Sequence, residues 1–465
     1  MQFTIEETEK LQSELVGKLI FPNSNGYDEA RTLWNGMFNK KPSLIIQCAT
    51  AKDVILAVQF AKIRKVDLAI KGGGHNSAGT GSCDNGIQID LSLMDKVEVN
   101  PGTKRVKVQG GCLLGKVDEE TQKHGLAISS GIISHTGVGG LTLGGGYGWI
   151  SRKFGMSIDN LVAVEIVTAR GELVTANEYE HSELFWAVRG GGGNFGVVTM
   201  FEFQAAEIGT EVYSGPIVKQ FEDLSSYLKF HREYVRTLPD EMTVWLVVRY
   251  APPLPFIPEE YHGKLVILVP FVWIGEPEEG EKLMQPIRDF GKTLGDGSAM
   301  HPWTAWQSAF DGLVSHGARN YWKSHQLTDL TDGCIEVLEE FALTMPSEEC
   351  EIFIPHLEGV SSRLASDATA FPHRYTPFLL NIHTRWQNES QDKECIQWAR
   401  DFHTATNPFG RGVYVNFMSD LGEDRVREAY SPENWEKLAH LKYIWDKDNL
   451  FHINFNIKPE KLVVH

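Results

Sequence analysis

The chain has 465 residues, 42% hydrophobic and 23% charged, an ordinary globular composition and enough length for two or three domains. Its 44 basic and 61 acidic residues leave a formal charge of −17, which argues against nucleic acid or an anionic membrane as the main partner. No apolar run approaches the roughly 18 residues of a membrane span.

The opening "MQFTIEETEKLQSELVGKLIF" lacks the basic and apolar regions of a signal peptide. The six cysteines, at 48, 83, 112, 334, 350 and 395, form no CxxC pair and fit buried thiols in a reducing compartment. A cytoplasmic location is therefore expected, and the sequon at Asn388 is expected to go unused.

From about Leu44 to Gln204 the chain is dense in glycine and in short strand-like runs: "SLIIQCA", "VDLAIKGG", "GIQIDLSL", "RVKVQGG", "LVAVEIVTARGELVTA" and "GVVTMFEFQ". Between them, "AKDVILAVQFAKIRK" reads as a helix capped by Thr50. "LLGKVDEETQKHG" reads as a helix closed by Gly125, and "HSELFWAVRGGG" runs from helix into glycine loop. After Glu207 glycine thins out and longer alternating strands follow: "MTVWLVVRY", "KLVILVPFVWIG", "CEIFIPHL" and "FLLNIHTRW". Helical stretches such as "EEGEKLMQPIRDFGKTLG" and, much later, "SPENWEKLAHLK" separate or follow them, and "APPLPFIPEEYHG" is an exposed loop. The fold class is α+β, with a second domain of antiparallel sheet covered by helices on one face.

Two nucleotide motifs fail on chemistry. "GGCLLGKV" has P-loop spacing, but Val117 stands where a magnesium-binding hydroxyl is needed. After "GGGHNSAGTG" the chain enters a strand, "IQIDLSL", rather than the helix of a Rossmann fingerprint. Three separated glycine clusters remain: Gly72, Gly73 and Gly74; then Gly131, Gly137, Gly139, Gly140, Gly144, Gly145, Gly146 and Gly148; then "VRGGGGNFGVV". Together they suggest bare backbone lying against one extended planar or phosphate-bearing ligand, and a dinucleotide with a tricyclic head has the right size. A phosphate cradle has no use for an imidazole, so His75, directly after the first cluster, needs its own explanation.

The ordered set "GGGH", "GVGGLTLGGGYG", "FWAVRGGGGNFGVVT" and "YVNF…NWEKLAHLKYIWDKDNLFHINFNIKP" resembles the berberine bridge enzyme-like branch of the vanillyl-alcohol oxidase flavoproteins, from about Thr32 to Pro459. The resemblance implies a two-subdomain PCMH-type FAD-binding domain over residues 1–207, a substrate-binding domain over 208–409, and a C-terminal segment, 410–465, returning to the FAD domain. It implies that His75 is bonded covalently to the 8α-methyl group of the isoalloxazine. Ile133 replaces the cysteine that makes a second link in many relatives, so one covalent bond is expected. Leu141 replaces a histidine, and Thr136 stands at the position thought to gate oxygen. His135 is expected to be a loop residue, with a polar contact to the cofactor left open. Besides the glycines, the resemblance assigns Lys71, Asn76, Ser77, Tyr147, Asn160, Val198, Tyr414, Asn416, Asn454 and Asn456 to the cofactor.

Flavin oxidation takes a hydride donor above the ring and usually a base for the O–H or N–H proton. In "FLLNIHTRW" alternation turns Asn381, His383 and Arg385 to one face, the expected substrate face. His383 has the right chemistry for the base, and Arg385 suits an anionic or strongly polar substrate group. In "YVNF" Phe417 replaces the tyrosine that many relatives use as base, so Tyr414 is an alternative, with Arg249 and Tyr147 as further polar candidates. The expected activity is oxidation of an alcohol or amine carbon in a small polar or secondary-metabolite substrate, with O2 reduced to H2O2. No metal is expected, and the protein is a monomer or homodimer. A dehydrogenase of the same fold and a flavin carrier without turnover remain open.

Overall fold

The computed structural model describes residues 3–461; the first two and last four residues of the expected FAD-binding unit lie outside the described residues. Near the N-terminus a four-stranded sheet runs in the order Lys18–Ile20, Leu44–Gln47, Ile87–Asp90, Leu68–Lys71. The last three are parallel, because helix Ala51–Arg64 carries the chain across between two of them. The Thr50 cap forms as expected, with its hydroxyl accepting from Asp53 N–H and the Asp53 carboxylate accepting from Thr50 N–H. Val54, Ala57, Val58 and Ala61, one face at helical spacing, bury against Leu44, Ile46, Ile87 and Ile89. Strand Leu68–Lys71 therefore ends at a fixed point, and the loop from Gly72 to His75 leaves from it.

A second, antiparallel sheet orders Val97–Asn100, Arg105–Gln109, Val197–Gln204, Leu161–Val167 and Leu173–Asn177. Helix Leu114–Gln122 stops earlier than the sequence suggests. Lys123 is its C-cap, and Gly125, two residues on, takes the left-handed turn at φ +65°.

The largest sheet has nine strands. Its main path is Thr293–Asp296, Glu211–Gln220, Leu265–Trp273, Leu246–Tyr250, Glu351–Ile354, Phe378–Trp386, Arg319–Leu327. Helices Leu224–Tyr234, Pro277–Asp289, Asp332–Ala342 and Asp392–Thr406 cover one face, where Leu228, Met284, Leu338 and Phe402 pack on Val248, Ile267, Ile352 and Ile382. Alternation then sends Arg249, Glu351, Asn381 and His383 to the opposite face. Glu211–Gln220 and Arg319–Leu327 had no clear strand signal in the sequence. The first is interrupted by Gly215 and Pro216, and the second, "RNYWKSHQL", carries polar residues that the fold nonetheless buries.

The C-terminal segment packs back onto the glycine-rich half: Val413, Leu438, Leu441 and Ile457 share a hydrophobic cluster with Val108, Phe195 and Phe201. Helix Pro432–Trp445 opens on the Ser431 cap and ends in a buried ion pair. Lys442 Nζ donates to Asp446 Oδ2 at 2.7 Å, to the Asn194 carbonyl at 2.7 Å and to the Phe451 carbonyl at 2.9 Å, all out of contact with solvent. One ammonium thus ties the Gly192–Asn194 turn to the C-terminus. Among the described residues no helix is long and apolar enough to cross a membrane, and all six cysteines are free and buried.

Replacing Lys442 with methionine keeps its length but strands the Asp446 carboxylate. Denaturant unfolding is expected to show a loss of about 3–5 kcal/mol, the usual cost of breaking a buried pair.

Candidate active site

Two glycine loops meet backbone to backbone. A Cβ on Gly73 would lie 2.5 Å from Gly137 N, and one on Gly137 would lie 2.4 Å from Gly73 N. Against these loops lies a cavity of about 330 Å³, within the ordinary range for a ligand site. It is lined by Gly72 to Asn76, by Gly131, Thr136, Gly137, Gly139, Gly140 and Gly144, and by Gly192 and Gly193 from the third cluster. Tyr147, Val198, Tyr414, Asn416 and Asn454 complete that part of the wall.

Other expected cofactor residues are engaged elsewhere. Lys71 Nζ donates to the Ala30 carbonyl at 2.7 Å, Ser77 Oγ to the Met418 carbonyl at 2.9 Å, and Asn160 Nδ2 to the carbonyls of Phe154 and Met156. Each meets the hydrogen-bonding demand of a neighbouring loop. Gly145, Gly146 and Gly148 lie behind the wall: Gly146 N–H donates to the Tyr414 hydroxyl at 2.9 Å and Gly148 N–H to Ser151 Oγ at 2.8 Å. Asn456 does not line the cavity either.

His75 is clamped. The buried Trp34 ring stacks on its imidazole at 4.2 Å with 15° between planes, and Trp34 is itself held by Nε1–H donation to the Val314 carbonyl. His75 Nε2 lies 3.1 Å from His135 Nδ1, so His135 is not merely a loop residue: it bonds His75. His316 lies next in line, its ring centroid 4.9 Å from that of His135. Burial, with His135 and His316 adding to it, holds His75 well below the usual histidine range, so the imidazole is neutral.

The large sheet supplies the rest. His383 Nδ1 lies 2.7 Å from Glu351 Oε1, and Arg249 Nη1 donates to Glu351 Oε2 at 2.7 Å. A carboxylate only accepts, so the hydrogen of this bond is on His383 Nδ1, which leaves Nε2 as the free nitrogen. That Nε2 and Asn381 Oδ1 are buried without a partner, on residues that line the cavity. Around them the wall is aromatic: Trp149 and Trp245 stack at 4.1 Å, with Phe310, Trp322, Phe353 and Phe417 nearby.

Arg385 departs from the expected set. Its Nε donates to Glu349 at 2.8 Å and its Nη2 to the Ser315 carbonyl at 2.8 Å, and its guanidinium sits 5.9 Å from the Trp34 ring, outside the cavity. A buried charge needs such partners, and they draw it away from the substrate space. Tyr414 also departs from its expected role as an alternative base. Its oxygen accepts from Gly146 N–H and Asn416 Nδ2, and burial pushes its pKa to about 12, so it is a hydrogen-bond donor at neutral pH. Burial likewise raises Tyr147, whose hydroxyl has no partner.

Sequence reasoning missed Glu351, Trp34 and His316. Glu351 left a signal: in "CEIFIP" it alternates with Ile352 and Ile354, which places a carboxylate on the face opposite the helices.

A family model described as FAD binding domain matches residues 42–177, and one described as Berberine and berberine like matches 413–458. An FAD-linked oxidoreductase of Dictyostelium discoideum is 33% identical over 92% of this chain and 91% of its own. The chain belongs to the berberine bridge enzyme-like FAD-linked oxidoreductases. The (R)-6-hydroxynicotine oxidase of Paenarthrobacter nicotinovorans is 28% identical, covering 96% of this chain and 97% of that one. The solved 6-hydroxy-D-nicotine oxidase of Arthrobacter nicotinovorans superposes with a TM-score of 0.85 at 27% identity, covering 96% of this chain and 98% of that one. A glucooligosaccharide oxidase of Acremonium strictum shares the fold, with a TM-score of 0.87 at 22% identity, covering 98% of this chain and 99% of that one.

The cavity of this berberine bridge enzyme-like protein fits FAD by two tests. A Cβ on Gly140 would meet nothing within 4 Å and one on Gly193 only Asn454 Nδ2 at 4.0 Å, so bare backbone faces free space where a large flat group can lie. Asn454 Oδ1 and the Tyr147 hydroxyl are buried without partners, which suits a ligand rich in donors and acceptors.

Glu351 supplies a pH test of this arrangement. Burial alone would raise its pKa, but His383 and Arg249 outweigh it and hold the carboxyl at about 2. Its folded value lies below the unfolded value of about 4.3, so its contribution is present above that pH and is lost as pH falls toward 2. The full contribution is about 3 kcal/mol. Denaturant titrations at pH 5 and at pH 2 should show Glu351→Gln losing less stability across this window than the unmutated protein, by about that amount.

Proposed function

We propose that this protein is an oxidase that carries FAD on His75 through a single covalent bond and takes a hydride from a carbon bearing a hydroxyl or amine. His383 accepts the hydroxyl or amine proton. The observation that carries this reading is the pair of His383 and Glu351: an imidazole oriented by a carboxylate at 2.7 Å, with its other nitrogen buried, unpartnered and on the cavity. A base with a dedicated orienting group is the usual arrangement for proton abstraction.

Bound FAD would supply the hydride acceptor. The chain's own residues do the remainder. His383 Nε2 takes the proton, Glu351 stabilises the resulting imidazolium, and Arg249 keeps Glu351 ionised and fixed. Asn381 offers a polar contact beside them, and the aromatic wall excludes water and accepts an apolar or aromatic body. With Arg385 turned away, of the small polar and secondary-metabolite substrates that the sequence suggests, the more apolar, secondary-metabolite kind is favoured. A relative named as an oxidase of 6-hydroxynicotine, a molecule with an aromatic ring, supports that class. We further propose residues 1–207 and 410–465 as the FAD-binding unit and 208–409 as the substrate unit, with O2 as electron acceptor.

Anaerobic stopped-flow reduction by a panel of aryl alcohols and amines tests the base. His383→Ala should keep its flavin spectrum and be reduced on the order of a hundredfold more slowly. An unchanged reduction rate would remove His383 from the role. Oxygen is tested separately by mixing the reduced protein with air. One H2O2 per flavin is expected, and Thr136→Leu, which adds bulk at a residue on the cavity wall, should slow reoxidation while leaving reduction intact. A reduced protein that persists in air would mark a dehydrogenase.

A further inference from the structure

Covalent attachment asks two things of His75: a lone pair for the new bond and a destination for its N–H hydrogen. The Trp34 stack, 4.2 Å away with 15° between planes, sets the imidazole plane. Nε2 faces His135 at 3.1 Å, which leaves Nδ1 for the bond. His135 is itself held in place: on the adjacent residue, Ser134 N–H donates to Asp311 Oδ1 at 2.9 Å and Ser134 Oγ to Asp311 Oδ2. Beyond His135 stands His316, an exposed residue with its ring centroid 4.9 Å away, while His135 Nε2 itself is buried without a hydrogen-bond partner.

We propose that His135 is the proton acceptor for the self-attachment of His75. The inference rests on the covalent reading given above. In the step, His75 Nδ1 gives its lone pair to a bond with the methyl carbon on the benzenoid edge of the isoalloxazine. A C–H bond of that carbon breaks, its proton leaves to solvent and its electron pair reduces the ring. The Nε2 hydrogen of His75 passes to His135 Nδ1. Dioxygen takes the two electrons back with two protons as H2O2, so atoms and electrons balance. Without an acceptor at Nε2 the product would be a buried imidazolium; burial first, and Arg385 in addition, make each of the three histidines harder to protonate. The ionisable groups around His135 are His75, His316, Asp311 and Arg385; burial holds His135 below the usual histidine range, and Asp311 alone works against that by favouring its protonated form.

The test is a time course of attachment. The full chain is made by cell-free synthesis with FAD added, and samples are acid-precipitated at intervals and read by flavin fluorescence in denaturing gels. In the unmutated protein the flavin should stay with the pellet. His135→Ala and His135→Gln should both bind FAD, shown by the native flavin absorbance band. Both should attach it on the order of a hundredfold more slowly at pH 7 and recover toward pH 9, where solvent hydroxide can take the proton. Glutamine keeps a hydrogen bond but cannot accept the proton, so full attachment in His135→Gln would show that His135 only orients the ring and would overturn the proposal. Attachment in both variants at the unmutated rate would overturn it too. Flavin released by acid from the unmutated protein would overturn the covalent bond itself and this inference with it, whereas retention there with normal rates in the variants would overturn this inference alone.

Discussion

The active site depends on a contact that no side chain makes. Gly73 and Gly137 press together so closely that a Cβ on either would sit about 2.5 Å or less from the other's backbone. Two residues after Gly73 stands His75, and just before Gly137 stand His135 and Thr136. Closing the two loops is therefore what brings the two imidazoles to 3.1 Å. A methyl group at either glycine would push apart every polar group arranged on that seam, because backbone cannot yield as a side-chain tip can.

On the opposite side the same cavity is organised by charge. A carboxylate, a guanidinium and an imidazole would each cost several kcal/mol if buried alone in an aromatic wall. Glu351 makes the set tolerable by accepting from both partners at once. Low local dielectric strengthens these bonds and fixes the His383 ring. Lys442 works in the same way at a distance, answering three acceptors at the junction of the third glycine cluster and the C-terminal segment.

Much of this was legible in the sequence. Thr50 capped its helix, the strands around the glycine clusters formed where alternation and β-branched residues placed them, and the large sheet took helices on one face. His75, His383 and Asn381 all reached the cavity wall. Local pattern suffices where a residue's face is set by its own strand. It failed for Arg385, which shares a strand face with His383 but is long enough to find Glu349 and Ser315 beyond the cavity. It failed for Lys71, Ser77 and Asn160, whose side chains close neighbouring loops. Glycine type alone also could not separate those that face the cavity from Gly145, Gly146 and Gly148 behind it.

What the sequence by itself determined is the α+β class, the FAD-binding character and the identity of the histidine beside the first glycine cluster, because these rest on short motifs and on periodicity within single elements. Only the tertiary structure decided which groups meet. His75 with His135, 60 residues apart, Trp34 over His75, and Glu351 between His383 and Arg249 are pairings between distant segments. No local spacing encodes them. They follow from how the sheets and glycine loops close on one another, and burial then makes each polar group take whichever partner that closure brings within reach.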